Sequence, residues 1–164
     1  RKYIPIAFLE PNIIAHEKLI IIPNASIFVF GVLMSAMHMC WTKYLCGRLK
    51  SDYSYSPAVY NNYPFPENPT DKQVKAIETA AQKVLDARLQ FPNSSLADLY
   101  DPLTMPPALI KAHNELDKAV DLAYRPQAFT SEANRMVFLF ELYEKYTADL
   151  FTKEKPKKTK KTTA

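Results

Sequence analysis

The chain has 164 residues, 48% hydrophobic and 12% aromatic, enough apolar material to bury one core or two small ones. Its formal charge of +4 is concentrated at the end, where six lysines stand with one acid between Lys153 and Lys161, so the remainder is close to neutral. That distribution excludes a uniformly basic nucleic-acid binder, and residues 153–164 read as a disordered, solubilising tail. The sequence opens at Arg1 directly into an apolar run, with no basic leader and no small-residue cleavage site, so it reads as an excised piece rather than a secreted precursor. Cys40 and Cys46 fall on different faces of one helical segment, which disfavours a disulfide and fits a reducing cytoplasm.

The first predicted elements are short strands. The β-branched runs Ile4 to Phe8, Lys18 to Ile22 and Ile27 to Phe30 suit a sheet, with Pro23-Asn24 as a turn between the last two. From Gly31 the period changes. Leu33, Met37, Trp41 and Leu45 recur every fourth residue, with Met34 and His38 beside them, which predicts a buried helix ending near Gly47 as a C′ glycine. A methionine-rich stripe at this spacing is core, and His38 within it is a satisfied or partly buried histidine rather than a metal ligand. Arg48 to Pro66 is polar and aromatic and too irregular for a helix, so it reads as loop and short strand; Pro64, Pro66 and Pro69 mark a boundary.

Beyond that boundary the chain is helical. Thr70 and Gln73 have capping-box spacing ahead of Val74, Ile77, Ala81, Val84, Leu85 and Arg88. Ser94 or Ser95 opens a short turn through Leu99. Pro106-Pro107 suits a helix start, followed by a face of Leu109, Ile110, His113, Leu116 and Val120. Ser131 begins a last helix carrying Val137, Phe138, Phe140, Leu142 and Tyr146. The expected class is therefore α+β, mainly α: a small β-rich segment with one buried helix (1–68), then a helical bundle (69–152), then the tail.

Several chemistries are poorly supported. Gly31 and Gly47 stand alone, so no glycine-rich loop for a nucleotide or methyl-donor cofactor can be drawn. Asn61-Asn62-Tyr63-Pro64-Phe65 lacks the paired prolines of an adenine methylase box. His38, Cys40 and Cys46 lack zinc-type spacing, and Glu115, Asp117 and Asp121 sit among lysines as a solvated face. Leu19 to Thr42 has no charged residue and is long enough for a membrane span, but Pro23-Asn24 and the polar Ser26, Ser35 and His38 argue against one. No catalytic residue, metal or cofactor is assigned to this stretch.

The stretch from Arg48 to Asn62 combines Arg, Lys, Asp, Asn, Ser and Tyr, the side chains that read base edges and hold phosphates. A lysine donates to guanine O6 and N7, and an aspartate accepts from the cytosine amino group. Lys50 and Asp52, two apart, point the same way if extended and could together read one G·C pair; a Lys-x-Asp surface ion pair is the competing explanation.

Pro23-Asn24-Ala25, Phe30-Gly31-Val32-Leu33, Ser35 through Met39, the run from Cys46 to Ser56 and Val59 to Pro66 closely resemble the end of the target-recognition domain of MmeI-like restriction–modification enzymes. Val84 to Arg88, Ser95 to Pro107 and Leu116 to Asp121 resemble the helical carboxy-terminal domain of the same family, so the resemblance covers about residues 1 to 151. It implies a bacterial parent chain with a central γ-class adenine-N6 methyltransferase domain using S-adenosylmethionine, and in many members an amino-terminal nuclease. It also implies that the two variable positions of the Gly-Arg-Leu-x-Ser-x-Tyr string, Lys50 and Asp52 here, help select a base pair, the Lys and Asp combination going with G·C.

The reading is thus a DNA-recognition module whose partners are double-stranded DNA and the upstream methyltransferase domain of the same chain, in the bacterial cytoplasm. Lys50 and Asp52 read base edges, while Arg48, Tyr53, Tyr55 and Asn62 are candidates for phosphate or neighbouring contacts. Tyr60 and Tyr63 are expected to pack against the helical half. The alternative is a structural or protein-interaction module that braces the parent without touching DNA. An isolated enzyme is a distant third.

Overall fold

The computed structural model describes residues 2–49 and 52–148. Among them are seven helices and one two-stranded sheet: α1 (Ile27–Leu33), α2 (Ala36–Leu45), β1 (Gly47–Leu49), β2 (Asp52–Ser54), α3 (Pro57–Asn61), α4 (Asp71–Leu89), α5 (Leu96–Leu99), α6 (Pro107–Tyr124) and α7 (Glu132–Thr147). This is the mainly helical α+β class the composition and periodicity predict.

The early strands are the main departure. Residues 4–8 and 18–22 form no ladder, because a strand needs a hydrogen-bonding neighbour and the one sheet among the described residues is the pairing of β1 with β2. The segment is instead irregular, with turns at 11–12 and 17–18, and is fastened to the core by the buried Tyr3 and the half-buried Ile6 and Ile22, with Ile14 fully out in solvent. Pro23-Asn24 is a turn as expected, with Asn24 at φ 54°, the left-handed region asparagine tolerates.

The third expected strand, Ile27 to Phe30, is the start of α1. Ser26 caps it by accepting from the Val29 amide at 3.2 Å, and burial of Phe30, Gly31, Val32 and Leu33 on one short helix overrides the β preference of Ile27 and Val29. The helix expected to run on from Gly31 breaks at Ser35. Its hydroxyl donates to the Val32 carbonyl at 2.7 Å and faces the His38 amide at 3.4 Å, so one side chain ends α1 and caps α2. A second cap comes from α6: Asp117 Oδ1 accepts from the Ala36 amide at 2.7 Å.

Glycine at position 31 lets α1 approach α4. A Cβ there would lie 2.8 Å from Ile77 Cγ2 and 3.0 Å from Ala81 Cβ. One hydrophobic core therefore runs through both halves of the chain, from Phe30, Met37 and Trp41 to Val84, Leu116 and Leu139.

The helical half follows its caps. Thr70 and Gln73 form the capping box of α4, and Gln73 Nε2 reaches the Leu122 carbonyl of α6 at 2.8 Å. Ser95 caps α5 with Asp98, Pro106-Pro107 opens α6, and Ser131 caps α7. Leu109, His113, Leu116 and Val120 are buried as predicted, whereas Ile110 faces outward. In α7 the expected face is rotated: Met136 and Leu139 are buried, and Val137, Phe140 and Tyr146 are exposed. The apolar residues surround this helix, so their period alone does not select a side.

A polar chain crosses the core where α4, α5 and α6 meet the N-terminal segment. Arg88 donates to the Ile6 carbonyl at 2.7 Å and to the Tyr100 hydroxyl at 2.6 and 3.0 Å. Tyr100, accepting twice, donates to His113 Nε2 at 2.7 Å. His113 Nδ1 then faces the Met34 carbonyl without reaching hydrogen-bond geometry. The His113 ring stacks on Tyr3 at 4.0 Å, and Tyr3 donates to Asp117 Oδ2 at 2.7 Å. Asp117 is therefore an internal acceptor tying the N-terminal segment to α2, not part of a solvated face. No helix among the described residues is long and apolar enough to cross a membrane, and the tail at 153–164 lies outside the described residues.

Candidate nucleic-acid interface

Cys46 adopts ψ 136° and turns the chain out of α2 directly into a hairpin. Its strands pair antiparallel with Gly47 opposite Ser54, Arg48 opposite Tyr53 and Leu49 opposite Asp52. Lys50, and Ser51 beside it, lie outside the described residues. Directly opposed residues of an antiparallel pair share a face, and successive residues alternate. Positions 47, 49, 52 and 54 therefore belong to one face, and 48 and 53 to the other.

Burial says which face is which. Asp52 and Ser54 are exposed, whereas Tyr53 is half-buried and packs against the core. Asp52 thus stands at the start of β2 on the outward face, with no ion-pair partner among the described residues. Arg48, on the other face, lies over the Tyr53 ring at 4.7 Å and donates to its hydroxyl at 3.3 Å, while the arginine itself remains exposed.

The hairpin is anchored from behind. His38, fully buried in α2, has Nδ1 2.7 Å from the Leu33 carbonyl and Nε2 2.8 Å from the Tyr55 hydroxyl. A carbonyl only accepts, so Nδ1 carries the proton, Nε2 is the acceptor and Tyr55 donates. Burial lowers the His38 pKa to about 4, keeping the ring neutral as this relay requires, and burial raises that of Tyr55. Trp41 Nε1 donates to the Val59 carbonyl at 3.1 Å and pins α3 to the same helix.

Of the anticipated DNA contacts, Tyr55 is committed inward, while Asn62 stays exposed with its side chain already hydrogen-bonded at the surface. Tyr55 is half-buried with its hydroxyl on His38, which makes it an anchor of the hairpin. Asn62 closes α3 by donating to the Ala58 carbonyl at 2.8 Å, and its Oδ1 accepts from Tyr143 of α7 at 3.3 Å. Tyr63 packs as expected, its ring against His38, Trp41 and Phe65 and its hydroxyl 2.7 Å from that of Tyr124 in α6. Tyr60 is half-buried, edge-on to Phe65.

The sequence reading did not assign His38 as the hairpin's anchor; its only signal is a polar residue within a buried stripe. Cys40 and Cys46 are buried free thiols, and burial raises the Cys40 pKa to about 11. Among the described residues no three His, Cys, Asp or Glu side chains could hold a metal ion.

Residues 1–67 match the family described as MmeI, target recognition domain, and residues 69–151 match MmeI, C-terminal domain. The chain belongs to the MmeI family. It is 41% identical over 148 residues to DNA methyltransferase A of Bacillus subtilis (strain 168), a match covering 90% of this chain and 17% of that protein. It is also similar to a solved structure of the Type IIL restriction-modification enzyme MmeI in complex with DNA, at 51% identity and a TM-score of 0.73, over 77% of this chain and 17% of the other. The chain thus spans about a sixth of the length of these two relatives.

Proposed function

We propose that this chain is a sequence-specific DNA-recognition module of a bacterial, S-adenosylmethionine-dependent adenine-N6 DNA methyltransferase of a restriction–modification system, and that it positions the target site for a catalytic domain elsewhere in the parent. In this reading residues 1–68 complete the target-recognition domain and 69–152 form the helical carboxy-terminal domain, working in the cytoplasm on double-stranded DNA. The observation that carries it is the hairpin: a carboxylate, Asp52, held outward on a strand whose other face is fastened to a buried helix. An exposed acceptor on a two-stranded ribbon suits a cytosine amino group in the major groove, and Lys50 supplies the donor for the paired guanine. Arg48, steadied by Tyr53, takes a phosphate.

The test is genome-wide mapping of adenine methylation by the full-length parent, wild type against the double exchange Lys50→Glu with Asp52→Arg. A motif changed at a single G·C pair supports base reading. An unchanged motif with efficient methylation refutes it.

A second contact is favoured by the N-terminal segment. Ile13, Ile14, Leu19 and Ile21 are all more than half exposed, an apolar surface that suits burial against the upstream methyltransferase domain of the same chain. Ile14→Ser with Ile21→Ser in the full-length parent should then lower its stability and leave the methylated motif intact.

A further inference from the structure

Among the described residues nothing gives Gly47 an internal reason to be glycine. As a C′ glycine it would take a left-handed backbone, yet Gly47 has no positive φ. Nor is it crowded: among the described residues a Cβ at Gly47 would meet nothing within 4 Å. A glycine in a strand gives up backbone entropy and side-chain packing, and where neither conformation nor the fold demands it, the remaining reason is close approach by something outside the chain.

The register says where that approach occurs. Gly47 is paired with Ser54, and Ser54 shares the outward face with Asp52 two residues away. The missing side chain therefore opens a notch on the face that carries the carboxylate, bordered by a serine hydroxyl able to donate to an anionic oxygen.

We propose that the Gly47–Ser54 pair is a contact site for the sugar–phosphate backbone of DNA, where the strand of the duplex bordering the base pair read by Asp52 passes against bare peptide. This rests on the DNA-recognition reading and deepens it. The notch explains why a polar, sequence-independent contact sits beside a base-reading one: it sets the depth at which Asp52 enters the groove. DNA suits this face better than a neighbouring protein domain, because Asp52 and Ser54, the described residues that share the face with Gly47 beside it, are polar and exposed, and the run of exposed isoleucines and leucines at 13–21 lies elsewhere, on the N-terminal segment.

The experiment measures binding of the full-length parent to duplexes with and without its recognition site, for wild type, Gly47→Ala, Gly47→Val, Ser54→Ala and Asp52→Asn, together with the melting temperature of each. A methyl group forced into a packed contact should weaken binding roughly tenfold, and the larger valine more. The loss should be similar on both duplexes, with the melting temperature held or raised and the methylated motif unchanged. Ser54→Ala should give a smaller loss of the same kind. If both Gly47 variants bind like wild type while Asp52→Asn alters discrimination, the notch proposal is wrong and base reading stands. If neither position affects binding or motif, the recognition reading fails as well. A drop in melting temperature for Gly47→Ala would show that another part of the parent covers the glycine, and would overturn the DNA contact.

Discussion

Gly31, within α1, and Gly47, just beyond α2, are the only two glycines in the chain, and their surroundings are opposite. Around Gly31 the molecule is filled from within, by Ile77, Ala81 and Leu116. Around Gly47 there is open space on an exposed face. The same residue type therefore reports packing in one region and an outside partner in the other. The contrast extends to the polar groups. In the core, Arg88, Tyr100 and His113 are joined in one hydrogen-bonded chain, whereas on the hairpin Asp52 stands without an ion-pair partner among the described residues.

The contrast is best broken at its interior end. Gly31→Val should cost about 3 kcal/mol or more and Gly31→Ala about 1 to 3, because the Ile77 methyl and the Ala81 Cβ must give way; chemical denaturation reads both. A value near zero at Gly31 would mean that α1 can rise off α4. Arg88→Ala should be comparably damaging, about 3 kcal/mol, since it strips the Ile6 carbonyl and the Tyr100 hydroxyl of donors and leaves a cavity.

Acid should attack the same interior. Burial holds the pKa of His38 at about 4 and that of His113 at about 3, below the ordinary 6.5. The unfolded chain therefore takes up protons that the folded chain refuses, and stability falls as the pH drops from about 6.5 towards 4, by up to about 1.4 kcal/mol per pH unit for each histidine. Asp117, whose pKa burial raises, takes its proton more readily when folded and softens the loss at the acidic end. Denaturation at pH 7 and pH 4.5 shows the slope; a slope half as steep would place one of these rings in water, and a flat profile both.

Between interior and surface lies Tyr55. Tyr55→Phe leaves His38 Nε2 without its donor and should cost about 1 to 2 kcal/mol. It should also relax discrimination at the base pair assigned to Asp52, because the hairpin loses its fastening; unchanged discrimination would make the hairpin rigid without it. At the outward end, Asp52→Asn and Gly47→Ala should change stability by less than about 0.5 kcal/mol, their consequences appearing only with DNA present.

How much of this was legible in the sequence depends on how local the cause is. The caps at Thr70 and Ser131 and the proline opening of α6 are set by contacts within a turn or two, and the sequence alone determined them; it left Ser94 and Ser95 open for α5, and of its stripe Met37 and Trp41 are buried in α2 while Leu45 is exposed. A short strand after a buried helix was likewise readable from the irregular polar run beyond Gly47; that Asp52 faces outward was decided by the packing of Tyr53 on the other face. The structure decided what depends on partners far along the chain. β-branched runs at 4–8 and 18–22 carry strand propensity but form no ladder among the described residues, while Ile27 to Phe30 became helix because its apolar face meets α4. Tyr55 and Asn62 look like any polar residue of a binding loop until His38 and Tyr143 come within reach. Periodicity reports that a residue is apolar or polar; which neighbour claims it is a property of the packed chain.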